Sequence, residues 1–306
     1  MVADVTGRRG RLAPTPTGLL HVGHARTFAI AAQRAGQAGL VLRIEDLDGP
    51  RCRAEYSAAA IDDLRWLGIN WTEGPDCGGP HAPYVQSART AQYLEIWRRL
   101  ETAGAVYPSP QSRRDVEQAA TAPHGEAVPA NLSPPGQPAA AALQPAESTP
   151  YGRPSEPIFP TVLRPPRRVR AAAPGGVPWR FRVPDGRVIE FHDGLCGVVR
   201  LTAGVDFGDF VVWRRDDLAA YELAVVADDH AMQIEEVVRG ADLLVSTARQ
   251  ILLSEALGWL QPTYAHAPLV CDASGCRLAK RAGRLTIRDL RTAGWSPEDV
   301  LTRPLN

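Results

Sequence analysis

Long apolar runs are missing from this chain of 306 residues: no stretch of about 18 apolar residues occurs, so no membrane span is expected. The opening Met1-Val-Ala-Asp-Val-Thr6 lacks a basic-then-apolar pattern, so no secretory signal is expected either. Cysteine is sparse. The five residues, Cys52, Cys77, Cys196, Cys271 and Cys276, are scattered and odd in number. That excludes a disulfide framework and points to reduced thiols in a cytoplasm. Net charge is also missing, because 34 Lys and Arg balance 34 Asp and Glu. The chain therefore has no global basic field for nucleic acid. Its basic charge is local, in Arg8-Arg9-Gly10-Arg11, Arg164 to Arg170 and Arg277 to Arg288, and nearly all of it is Arg, which suits planar phosphate contacts. No internal repeat is evident.

What is present is enough for a packed core. Hydrophobic residues make up 44% of the chain, and its length allows one large α/β domain or two smaller ones. Residues 8–107 read as compact. Leu40 to Ile44 is a buried-strand candidate, Ala54 to Leu67 a helix stopped by Gly68, and Arg89 to Ala103 a helix spaced through Tyr93, Ile96, Trp97 and Leu100. Composition then changes: residues 108–178 hold 16 of the 27 prolines, too little apolar surface for good order, and read as a mobile insertion. Order is expected to return at Trp179. Strand-like Trp179–Val183 and Arg187–His192 flank Pro184-Asp185-Gly186, a hairpin signal. Residues 195–213 read as further strands, Leu218–Ala227 as a helix leading into Asp228-Asp229-His230, and Ala241–Leu257 as a helix closed by Gly258. One short helix is expected after Leu290.

The most informative run is Arg11-Leu-Ala-Pro-Thr-Pro-Thr-Gly-Leu-Leu-His-Val-Gly-His-Ala-Arg26. A short strand ends at Pro14-Thr15-Pro16-Thr17-Gly18, and a helix follows to about Arg34. Two imidazoles, His21 and His24, stand at the mouth. A helix start presents outward N–H groups and partial positive charge, which suits phosphate. Gly23 lets a ligand approach the backbone. Two histidines three apart can donate to a phosphate that gains charge in a transition state.

This run resembles the first signature of the class I aminoacyl-tRNA synthetases, glutamyl/glutaminyl branch, R-x-A-P-S-P-T-G-x-L-H-x-G-x-A-R. Thr15 replaces a Ser, and His24 stands where Gly is frequent. Four more runs follow in the family's order. Arg43-Ile-Glu-Asp-Leu-Asp48 is similar to R-I-E-D-T-D, and Tyr221-Glu-Leu-Ala-Val-Val-Ala-Asp-Asp229 to Y-x-L-A-x-V-x-D-D. Val237-Val-Arg-Gly-Ala-Asp242 is similar to V-x-R-G-x-D. Cys271 to Arg281 occupies the place of K-M-S-K-S, with Arg277 for the first Lys, Ala279 for the Ser and Lys280 matching the second Lys. Val225, in place of a frequent Asn, looks more like the glutamyl-queuosine branch.

The resemblance implies an α/β, Rossmann-like class I synthetase catalytic domain over residues 1–306. Its Pro/Ala-rich insertion, 108–178, would stand in place of the family's zinc module. ATP would be bound by Pro14, Gly18, His21, Gly23, His24, Arg277 and Lys280. His21, His24 and Lys280 would be the catalytic residues, stabilising phosphate charge. Glutamate would be bound by Arg11, Ala13, Thr15, Glu45, Tyr221 and Arg239. Glu45 would hold the ammonium, and Arg239, with Arg11, the side-chain carboxylate; Asp46 and Asp48 read as structural.

The implied cofactors are ATP and Mg²⁺. No metal ligand set is assigned and no zinc is expected, because no Cys occurs from 78 to 195; a zinc site at Cys271 and Cys276 is rejected for want of a second pair. The partners would be glutamate and tRNA(Asp), with no membrane, and the chain is expected to act as a cytoplasmic monomer. No anticodon-binding domain fits after Leu290. The implied activity is glutamate activation to glutamyl-adenylate and transfer to queuosine in the anticodon. The alternatives are a truncated glutamyl-tRNA synthetase, an enzyme serving a non-tRNA acceptor, and a catalytically silent RNA-binding paralogue.

Overall fold

The computed structural model describes residues 7–112, 114–116, 158–166, 168–270 and 286–303. Its elements run β1 (Gly10–Leu12), α1 (Val22–Ala35), β2 (Leu40–Leu42), α2 (Ala54–Trp66), α3 (Thr90–Ala103), β3 (Val106–Pro108), β4 (Trp179–Phe181), β5 (Val188–Asp193), β6 (Gly197–Thr202) and β7 (Phe210–Trp213), followed by α4 (Tyr221–Ala231), β8 (Glu236–Gly240), α5 (Leu244–Leu257), β9 (Thr263–Ala267), α6 (Ile287–Thr292) and α7 (Pro297–Thr302).

β1 and β2 pair in parallel, joined by α1. β8, β9 and β5 are also parallel, with β6 antiparallel at the edge, in the order β6-β5-β9-β8. The two sheets abut through Arg9, whose carbonyl accepts the N–H groups of Glu235 and Glu236 at the start of β8. α1 buries Val22, Ala25, Phe28, Ala31 and Ala35, a stripe of three- and four-residue steps, against Leu12, Leu40, Leu42, Val238 and Ala265. This mixture of helices with parallel sheets is the expected α/β, Rossmann-like fold. The parallel strands deliver the segments after β1, β8 and β9 to one crevice, where ligands of such sheets bind.

A second core lies under α3. Tyr93, Trp97 and Leu100 face β4 and β7 of an antiparallel sheet ordered β3-β4-β7, and Trp97 meets Trp179 edge-on at 4.9 Å. This packing overturns the expected hairpin at Pro184-Asp185-Gly186. The turn is there, with Arg187 N–H donating to the Pro184 carbonyl. The strands on either side diverge, however. β4 carries Trp179 and Phe181 into the tryptophan core, paired with β3 and β7, whereas β5 pairs with β6 and β9. The true hairpin comes one element later. Its turn is held by Asp193 Oδ1, which accepts N–H from Leu195 and Cys196.

Several boundaries also move. α4 begins at Tyr221, not Leu218, because Ala219 and Ala220 pair back onto β7 in extended form. It continues to Ala231, so Asp228 and Asp229 lie in its last turn. Residues 241–243 form a separate 3₁₀ turn before α5. The one short helix expected after Leu290 is α7; α6, which begins at Ile287, precedes it, and each is opened by a capping box, Thr286 with Asp289 and Ser296 with Asp299. Tertiary contacts are in place well before Trp179. Phe159 packs with Tyr107 and Val116, and Arg164 bonds to Asp209 and Asp185. Proline fixes the backbone of this stretch without preventing one aromatic and one arginine from anchoring it. Among the described residues no helix is long and apolar enough to cross a membrane.

Candidate active site

One cavity of about 580 Å³ lies at the carboxyl edge of the parallel strands, within the range of small-molecule sites. Every sequence-predicted site residue that the structure describes lines it: Arg11, Ala13, Pro14, Thr15, Gly18, His21, Gly23, His24, Glu45, Tyr221 and Arg239. Thr17 and Asp242, which stand in the quoted motifs without an assigned role, also line it, as do Leu269 and Val270, which no motif marks.

The histidine end is built by the start of α1. His21 is the N-cap, and its Nδ1 accepts the Gly23 N–H at 3.1 Å; His24 Nδ1 accepts the His21 N–H at 3.3 Å. The two rings stack at 3.7 Å between centroids. Because each Nδ1 accepts, the proton of each neutral ring sits on Nε2. Gly23 favours this approach: a Cβ there would lie 3.0 Å from the His21 ring, tight enough to push the ring aside. Lys280, Arg277 and Ala279, like Cys271 and Cys276, lie outside the described residues. Their described neighbours both stand at this end. Val270 lines the cavity, and Thr286 pairs with His21 through the backbone.

The other end is charged and buried. Arg239, at the end of β8, donates from Nε to His266 Nε2 at 3.2 Å and from Nη2 to Thr247 Oγ1 at 2.8 Å, and its Nη1 lies 3.4 Å from Tyr221 Oη. Arg11 donates from Nη1 to the Val238 carbonyl and lies 3.5 Å from Asp229. Burial, reinforced by the neighbouring Arg43 and Arg239 cations, holds Arg11 below the usual arginine range. An incoming carboxylate would relieve this strain.

Glu45 is held from behind by Arg43, which donates to Glu45 Oε1 at 2.9 Å and to Asp229 Oδ1 at 2.8 Å. Arg43 is fully buried and was assigned no role from sequence. Behind it, Asp228 accepts from Gln86, Arg89 and Tyr93, all buried. The Asp228-Asp229 pair stood in a quoted motif, but its side-chain hydrogen-bond partners lie 135 to 186 residues away, so its work was invisible in one dimension. Asp46 is structural as expected, accepting from Ser87 N–H and Oγ–H. Asp48 pairs with Arg51.

Burial pushes the Glu45 carboxyl above its ordinary range, and Arg43 and Arg11 pull it back only in part. A carboxylate must be ionised to meet an ammonium. If Glu45 meets a substrate ammonium, as the resemblance implies, that hold is lost earlier, as pH falls, than it would be for an ordinary Glu. We expect calorimetric glutamate affinity to fall with a midpoint above about 4.3, the ordinary value for a glutamate side chain. Glu45→Gln should bind weakly and lack that limb. A wild-type midpoint at or below it would mean that the ammonium is met elsewhere.

With this geometry in hand, comparison with known proteins is decisive. The family profile described as tRNA synthetases class I (E and Q), catalytic domain, matches residues 8–135 and 167–303. This chain belongs to that family. The profile's gap, residues 136–166, is narrower than the 108–178 expected for the insertion. The synthetase domain is 44% identical over 298 residues to the glutamyl-Q tRNA(Asp) synthetase of Symbiobacterium thermophilum, covering 95% of this chain and 84% of that protein. It is also 44% identical to the enzyme of the same name from Nitratidesulfovibrio vulgaris, covering 94% and 82%. Its fold is similar to the crystal structure of glutamate-tRNA synthetase from Elizabethkingia anophelis, with TM-score 0.66 and 26% identity, covering 94% of this chain and 54% of that one. Among its described residues, no group of three or more His, Cys, Asp or Glu could hold a metal ion.

Proposed function

We propose that this synthetase domain activates glutamate with ATP and transfers the glutamyl group to queuosine in the anticodon of tRNA(Asp). The observation that carries the first step is that one cavity holds both halves of the site. It joins two buried arginines and a buried carboxylate at one end to a helix start with paired imidazoles at the other.

In this reading Arg239 and Arg11 take the side-chain carboxylate, Glu45 the ammonium and Tyr221 the substrate body. The α-carboxylate is thereby aimed at the α-phosphorus of ATP seated over Gly18, Gly23 and the start of α1. The C–O–P bond forms as the bond to pyrophosphate breaks, giving glutamyl-adenylate. His21 and His24 donate from Nε2 to phosphate oxygens, and Lys280 and Arg277 meet charge on the departing pyrophosphate. Mg²⁺ would enter with the triphosphate, as it does in most nucleotide sites, and neutralise charge there. Positioning and electrostatics then supply the catalysis, with little acid–base chemistry.

The acceptor rests on the relatives. The domain covers more than four-fifths of the glutamyl-Q proteins and about half of the glutamate-tRNA synthetase structure. The test is radiolabelled glutamate with total tRNA, with and without queuosine. We expect label in the anticodon stem-loop of queuosine-containing tRNA(Asp) only. Label at the tRNA 3′ end would establish a truncated glutamyl-tRNA synthetase, and no glutamate-dependent pyrophosphate exchange would refute activation.

A further inference from the structure

Behind Arg239 lies a buried chain that the activation chemistry does not use. Asp193, at the end of β5, and His266, on β9, have fully buried side chains with Nδ1 and Oδ2 2.6 Å apart. Asp193 Oδ1 also accepts the N–H groups of Leu195, Cys196 and His266. Four donors thus hold Asp193 as a carboxylate, well below the usual range despite burial. A carboxylate can only accept, so His266 Nδ1 carries a proton.

On the other side of the ring, Arg239 Nε is 3.2 Å from Nε2. A guanidinium can only donate, so Nε2 accepts. His266 is therefore the neutral Nδ1–H tautomer. Thr247 Oγ1 closes a triangle, 2.8 Å from Arg239 Nη2 and 2.9 Å from His266 Nε2. Asp193 on β5, Arg239 on β8, Arg11 on β1 and Tyr264 on β9 itself are the charged or titratable groups around the ring, with Thr247 on α5 completing the enclosure. Burial, aided by the Arg239 and Arg11 cations, lowers the His266 pKa, in keeping with a neutral ring.

Among the described residues Arg239 hydrogen-bonds to three neutral groups, His266, Thr247 and Tyr221, and lies 5.8 Å from the Tyr264 ring centre; Glu222 and Asp229 hold it up in pKa through charge alone, with no hydrogen bond to it. A carboxylate in the place of His266 would aim Arg239 equally well but would neutralise it. A neutral acceptor aims it and leaves its charge for the ligand.

We propose that His266, locked by Asp193, is a positioning residue that presents Arg239 as a cation with no carboxylate hydrogen-bonded to it, and so sets selectivity for glutamate over glutamine. This rests on the reading of the cavity as a glutamate site. The test compares His266→Asn with His266→Gln in glutamate-dependent pyrophosphate exchange. Asn keeps an N–H for Asp193 but has no atom at the Nε2 position; Gln places its amide oxygen there. Loss of one hydrogen bond to a charged group predicts that His266→Asn raises glutamate KM about tenfold, with kcat nearly unchanged and glutamate-over-glutamine preference reduced. His266→Gln should restore KM to near wild type. Thr247→Val, close in shape, should raise KM in the same sense, and it serves if His266→Asn does not fold. Wild-type KM in His266→Asn or Thr247→Val, or equal losses in Asn and Gln variants, would overturn the proposal while leaving the glutamate site standing. A wild-type protein that exchanges no pyrophosphate with glutamate would overturn both.

Discussion

Replacing Arg239 by Ala should raise the glutamate KM by about a hundredfold or more, with a much smaller change in the KM for ATP. The guanidinium is buried at the end of β8, and a carboxylate brought beside it sheds its water. Removing one partner of a buried charge pair costs about 2–5 kcal/mol, because the other charge is left unpaired. Each 1.4 kcal/mol is about tenfold in affinity. Arg239→Lys should recover only a minor part. An ammonium is a point donor, and the Nε and Nη2 contacts to His266 and Thr247 require the planar fork. Pyrophosphate exchange at varied glutamate measures this directly. An Arg239→Ala enzyme with wild-type glutamate KM would remove Arg239 from the substrate, and with it the physical basis for choosing glutamate.

Lys280→Ala should lower the exchange rate by about 10²–10³, with glutamate KM little changed, the loss seen when one donor to a developing oxyanion is removed. The interaction is made mainly in the transition state, as negative charge builds on the departing pyrophosphate, and so appears in kcat. The composition sharpens this expectation: Lys280 is the only lysine among the 34 basic residues. Everywhere else the chain uses the planar, strongly delocalised cation, and here alone the compact, mobile one. Arg277→Ala and Arg281→Ala should cost far less. Ala279→Ser, which adds a hydroxyl beside Lys280, should raise the rate if phosphate contact is incomplete without it. Near-normal exchange in Lys280→Ala would show that another cation holds the phosphates.

Much of the site was legible because it is written in short contiguous runs. A strand end, a proline-rich turn, a Gly and two histidines at a helix start define an anion-binding mouth by local geometry alone. Here His21 and His24 cap α1 by bonds no more than three residues long. The same holds for α1 and α3, whose buried stripes follow the helical period, and for Gly104 and Gly258, which end α3 and α5 in the left-handed conformation.

The misread elements share a different cause. Pro184-Asp185-Gly186 does specify a turn, but a turn says nothing about partners. β4 pairs with β3 and β7, and β5 with β6 and β9, although both strands send their apolar side chains into one continuous core. Leu218 to Ala220 had helical composition, yet pairing with β7 satisfied their backbone first.

The amino-acid order by itself determined the family, the fold class and the residues around the cavity, because each rests on local spacing and residue chemistry. The tertiary structure alone decided how those residues are held. Arg43 between Glu45 and Asp229, Asp228 among Arg89, Gln86 and Tyr93, and His266 between Asp193 and Arg239 are all buried polar contacts across long stretches of chain. Such groups cannot be left unsatisfied away from water. Which of the many candidate partners satisfies each is a question of distance in the folded sheet, where residues far apart in the chain become neighbours.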